Sequence, residues 1–155
     1  MEANTIIALS KAGGAAALGL AAVGSAIGAG LAGSAAIGAW KKCYAQSKAA
    51  PFILVTFIGA PLSQTIYGMI LMGWMLDAAK DPALATTGWA AMLIGGIFGG
   101  MGMGASAWFQ GKAGAAGADA LAETGQGFGN YLMTLGIVET VALFVLVFIR
   151  TSFAA

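Results

Sequence analysis

The sequence predicts an all-α membrane protein: four transmembrane helices, paired as two duplicated helical hairpins and assembling into a homo-oligomeric ring. Three observations predict it. The 155 residues are 59% hydrophobic and only 8% charged, where soluble domains carry about 25% charged residues, and the mean hydropathy is +0.87. The apolar residues gather in four runs, each long enough for a helix to cross a bilayer core, which takes roughly 20 residues. None of the runs shows the alternation of a membrane β-strand. Glycine is concentrated in the first and third runs, which separates them from the second and fourth.

The first span is expected from about Lys11 to Trp40. It follows Met1-Glu-Ala-Asn-Thr, which lacks the basic start of a secretory signal peptide, so it reads as a mature membrane helix. The second runs from about Phe52 to Leu76, the third from Trp89 to Leu121, and the fourth from Phe128 to Arg150. Between them lie a polar loop at Lys41 to Ala50, a turn at Asp77 to Thr87 and a short link at Glu123 to Gly127. Asp81-Pro82 is the turn signal. The chain is thus one membrane domain, 1–155, with hairpins at about 11–77 and 88–152.

The first span holds eight glycines and residues 88–117 hold ten, against three in the second span and two in the fourth. Gly24 and Gly28 stand four apart, as do Gly96 and Gly100, and Gly100 and Gly104. Small residues at that spacing let helix backbones approach closely in lipid. Their spread around the helix asks for close contacts on several sides, which suits copies packed in a narrow ring. The glycine-rich spans would line the inside and the bulkier spans the outside. The halves repeat: Gly33-Ser34 corresponds to Gly111-Lys112, and Gln64 to Glu139.

Lys41, Lys42 and Lys48 fall in the first loop, and the positive-inside rule places that side in the cytoplasm. Loops 41–50 and 123–127 are then cytoplasmic and the protein is integral to the cell membrane. Lys112 lies towards the same side and is expected to snorkel to that interface. Trp40, Trp74 and Trp89 stand near span ends, as an interfacial aromatic belt would. The chain has no histidine, which removes histidine-based catalysis and the usual zinc sites, and a net charge of +1 gives no basic surface for nucleic acid. Its one cysteine, Cys43, has no partner for a disulfide or a metal motif.

Glu139 stands alone in the most apolar stretch, from Tyr131 to Ile149. A charge at the bilayer midplane costs at least roughly 2.5 to 3.5 kcal/mol on insertion scales and is by default a functional residue. The second span offers partners: Ser63, Gln64 and Tyr67 can share a helix face. Pro61 lacks an N–H and loosens the helix beside them. Gln110 in the third span adds another amide oxygen. One carboxylate, two amides, a hydroxyl and a backbone carbonyl suit a hard cation such as Na⁺ better than a proton, which needs only the carboxyl group and one acceptor.

Taken together, Pro61-Leu-Ser-Gln64-Thr-Ile-Tyr67, Gln110-Gly-Lys112 and Val138-Glu139-Thr140, on two hairpins with a glycine-rich first helix, resemble the proteolipid of V-type rotary ATPases. The sodium-translocating bacterial type, the K or c subunit, is the nearest in pattern. The resemblance implies a ring of identical subunits in lipid, turning against a stator membrane subunit that carries an arginine. A central-stalk subunit would meet the cytoplasmic loops. It implies Glu139 as the essential carboxylate and Gln64, Gln110 and Ser63 as side-chain oxygens for Na⁺. Ala60 would add its backbone carbonyl, and Tyr67 would lock Glu139. Relatives that carry threonine and leucine at the positions of Ser63 and Ala60 keep the same oxygens. Where a glutamate often follows the first-span glycine, this chain has Ser34. The chain itself is not expected to be an enzyme, since ATP would be hydrolysed by partner subunits. A ring carrying H⁺ instead of Na⁺ is the alternative. A small multidrug transporter also uses a membrane glutamate, but usually in its first span, and it leaves the duplication unexplained.

Overall fold

The computed structural model describes residues 2–153. Four helices follow one another: α1 (Ala3–Ala45), α2 (Phe52–Ala78), α3 (Pro82–Thr124) and α4 (Phe128–Thr151). Each is long and apolar enough to cross a membrane, and there is no strand among the described residues. The helical count and order agree with the sequence, but the helices outrun the apolar spans. α1 and α3 have 43 residues each, about 64 Å at 1.5 Å per residue, roughly twice a bilayer core near 30 Å. Both therefore project beyond the lipid.

Local chemistry fixes the ends. The expected turn at Asp77 to Thr87 shrinks, because α2 runs on to Ala78 and α3 begins at Pro82. Asp81 caps α3, its carboxylate accepting from the N–H groups of Ala83 at 2.8 Å and Leu84 at 3.4 Å. Proline in the first turn loses nothing, since its N–H would have no helical partner. Gly125 and Gly127 take the left-handed conformation, with φ of 68° and 86°, which reverses the chain within the link before α4. At the other loop, the Trp40 indole N–H donates to the Pro51 carbonyl at 2.8 Å and fastens the start of α2.

α2 is not one regular helix. A 3₁₀ turn at Phe52–Leu54 leads into Val55–Gly59, a second 3₁₀ turn covers Ala60–Leu62, and an α-helix resumes at Ser63–Ala78. The second turn is where Pro61 cannot donate to the carbonyl one turn back, so the loosening expected from the sequence is present.

α1 and α3 meet backbone to backbone. A Cβ added at Gly24 would overlap Gly104, one at Gly28 would overlap Ala107, and one at Gly111 would overlap Gly28. The pattern repeats at Gly13 and Gly96. α2 lies against α1 through Gly68, where a Cβ would come within 2.9 Å of the Ala17 carbonyl, and through Pro61 beside Gly28. Val145 and Ile149 of α4 fill the grooves over Gly99 and Gly102 of α3. The apolar interior forms two clusters. One holds Leu71, Met75, Met92, Met103 and Leu146 towards the chain termini, and the other holds Leu54, Phe57, Leu121 and Leu135 towards the loops. The polar layer that carries the chemistry lies between them. Outward faces of α2 and α4 stay apolar and exposed, at Leu62, Ile66, Met69, Ile137, Val141 and Phe144.

Candidate ion-binding site

Three helices contribute to one connected hydrogen-bond network at mid-depth. Glu139 is near the centre of α4, and both of its carboxylate oxygens are engaged. Oε1 accepts from the Tyr67 hydroxyl at 2.6 Å, and Oε2 accepts from Gln110 Nε2 at 3.2 Å. The first is short for an O–H···O bond, whose usual distance is about 2.7 to 2.8 Å. Glu139 and Tyr67 are half-buried, whereas Gln64 and Gln110 are fully enclosed.

On α2, the 3₁₀ turn directs the Ala60 carbonyl at Ser63, whose Oγ lies 3.0 Å from it. The same Oγ lies 3.1 Å from Gln64 Oε1. Three oxygens thus gather around a single hydroxyl proton. Gln64 Nε2 turns the other way and donates to Gln110 Oε1 at 2.8 Å and to Ser106 Oγ at 3.3 Å. Gln110 Nε2 also donates to the Leu135 carbonyl at 3.1 Å. All six residues singled out from the sequence, Ala60, Ser63, Gln64, Tyr67, Gln110 and Glu139, therefore belong to this network.

Ser106 also belongs to it, and sequence reasoning missed it. It is 5% exposed and donates to the Val138 carbonyl at 2.9 Å. The available signal was its position four residues before Gln110, which puts both on one face of α3. Among the described residues no group of three or more His, Cys, Asp or Glu converges. The donor set is one carboxylate with neutral oxygens, hard ligands of the kind that hard cations take.

The Lys112 ammonium lies over the rings of Trp108 and Phe109, at 6.0 Å and 5.6 Å. Helical side chains lean towards the N-terminus, which carries the stem back over the preceding turn, and the ring faces attract the cation. At the far end, Arg150 stacks 4.4 Å over Trp74 and anchors α4 to α2. Lys42 and Asp119 pair at 2.7 Å across α1 and α3 on the loop side, largely in solvent.

No curated protein matches the chain. Residues 80–149, which carry Ser106, Gln110 and Glu139, match the family model of the ATP synthase C subunit, the family of non-catalytic, ion-carrying ring subunits of membrane ATPases.

Proposed function

We propose that this chain is the rotor-ring subunit of a V-type ATPase and that its cargo is Na⁺. Identical copies would form the ring in the cell membrane, with loops 41–50 and 123–127 in the cytoplasm facing a central-stalk subunit. Na⁺ is neutralised by Glu139 and takes oxygens from Gln64, Gln110, Ser63 and the Ala60 carbonyl, while the Tyr67 hydroxyl locks the carboxylate. So neutralised, the site can pass through lipid as the ring turns. At a stator subunit, an arginine competes for Glu139 and Na⁺ is exchanged. The observation that carries this reading is the cluster of Ala60 O, Ser63 Oγ and Gln64 Oε1 within 3.1 Å of Ser63, joined through Gln110 to the carboxylate. Such a surplus of oxygens serves a cation and is more than a proton requires. The match of the second hairpin to a ring-subunit family supports the coarser part of the reading, and the single carboxylate per four helices supports the V-type.

The test is carbodiimide labelling of the purified oligomer across a range of pH, with Na⁺ or K⁺. The reagent attacks a protonated, buried carboxyl group. Protection of Glu139 by Na⁺ and not by K⁺ is the expected result. Labelling that follows pH alone would transfer the same ring to H⁺ transport.

A further inference from the structure

A carboxamide coordinates a cation only through its oxygen, so Gln64 serves the site only if its NH₂ end is held away from it. What holds it can be traced to atoms whose hydrogen-bonding role is fixed. The Val138 carbonyl can only accept. The one proton of Ser106, 2.9 Å away, is therefore committed to it. With that proton used, Ser106 Oγ can only accept, and the Gln64 atom 3.3 Å away must be the nitrogen. Gln64 Oε1 is then obliged to face Ser63 and Ala60. The Leu135 carbonyl acts in the same way on Gln110, holding its Nε2 at 3.1 Å and turning its oxygen to Gln64. Two backbone carbonyls of α4, in the turn ending at Glu139, thereby set the polarity of both amides. Gln110 reads its carbonyl directly. Gln64 sits on α2, and its nitrogen is held twice: by Ser106 Oγ, which carries the polarity of the Val138 carbonyl, and by Gln110 Oε1.

We propose that Ser106 is a positioning residue for cation selectivity: it relays the polarity of the Val138 carbonyl to Gln64 and keeps the amide oxygen turned to the ion. The inference rests on the sodium reading above and adds to it a residue that never touches the ion. Without the hydroxyl, Gln64 Nε2 keeps a single acceptor, Gln110 Oε1 at 2.8 Å, and the amide oxygen is held less firmly towards the ion. The carboxyl group of Glu139, held by Tyr67 and Gln110, keeps its capacity to take a proton.

The test compares Ser106→Thr with Ser106→Val, which are alike in shape and differ in the hydroxyl, with Ser106→Ala as a third variant. Purified rings of confirmed mass are titrated with Na⁺, and Glu139 labelling by carbodiimide is followed at several pH values. The expected result is that Ser106→Val needs about tenfold more Na⁺ than Ser106→Thr for half-protection, the scale of one lost buried hydrogen bond. Labelling without Na⁺ should differ between the two by less than about twofold at each pH, since no donor to the carboxylate has changed. Equal Na⁺ titrations for Thr and Val would overturn the proposal while leaving the sodium site standing. So would a loss of sodium protection matched by an equal change in sodium-free labelling, because that is general damage. A wild-type ring that Na⁺ fails to protect would remove the sodium reading, and this inference with it.

Discussion

Replacing Tyr67 with phenylalanine deletes one oxygen and the 2.6 Å hydrogen bond to Glu139 Oε1. The ring itself stays packed against the cluster around Leu71 and Leu146, so the substitution isolates the bond. A hydrogen bond to a charged group contributes about 1.5 to 3 kcal/mol to a folded structure. Because Tyr67 and Glu139 are both half-buried, the lower end applies, and about 1.4 kcal/mol is a factor of ten. If the bond locks the carboxylate as proposed, its loss should act chiefly on escape of the ion. Rings loaded with radioactive sodium, diluted into unlabelled sodium and filtered over time, should release the isotope about tenfold faster in Tyr67→Phe than in wild type. Release within about twofold of wild type would refute the idea that this bond locks the carboxylate.

Further outcomes follow from other contacts. Glu139→Gln should abolish both carbodiimide labelling and sodium binding while leaving the ring mass unchanged, as seen by native mass spectrometry. Gly111→Ala places a methyl group into the Gly28 backbone and should destabilise the hairpin pair by about 1 to 3 kcal/mol or more. Gly129→Ala meets nothing within 4 Å and should leave the dissociation temperature of the chain near that of wild type. Asp81→Ala removes the cap of α3 at a cost of about 1 kcal/mol, visible in thermal unfolding, with no change in the sodium titration.

The sequence made the four helices and most of the site legible for different reasons. Hydropathy marks where a chain is apolar, so it located every span but not the helix ends. α1 continues through Lys41 and Lys42 because lysine is a good helix former whatever its polarity, and α3 starts at Pro82 because Asp81 caps it. Pro61 announced a local loosening of α2, present as the 3₁₀ turn at Ala60–Leu62, because its missing N–H acts locally. Glu139, Gln64 and Gln110 stood out as polar residues in apolar surroundings. Ser106 did not, since a serine in a glycine-rich helix is unremarkable until the carbonyl opposite it is known. The direction of each amide was equally hidden, for it depends on α4 carbonyls that the fold brings across from another helix. The contact of Lys112 with Trp108 and Phe109 was hidden too, although both rings stand one turn behind it on the same helix.

The glycine seam between α1 and α3 has a mechanical meaning. Side-chain interfaces yield under load by hopping between rotamers, but contacts such as Gly24 with Gly104 and Gly28 with Gly111 offer no rotamers to change. Sliding one helix past the other must lift entire backbones out of contact, so the pair resists shear as a single strut. Compliance is left to α2, with its interrupted backbone at Ala60–Leu62, and to the α2–α4 face where Tyr67 meets Glu139. In the rotor proposed above, torque would pass through the stiff pair, while the small yielding motions needed to open and close an ion site would be confined to α2 and α4.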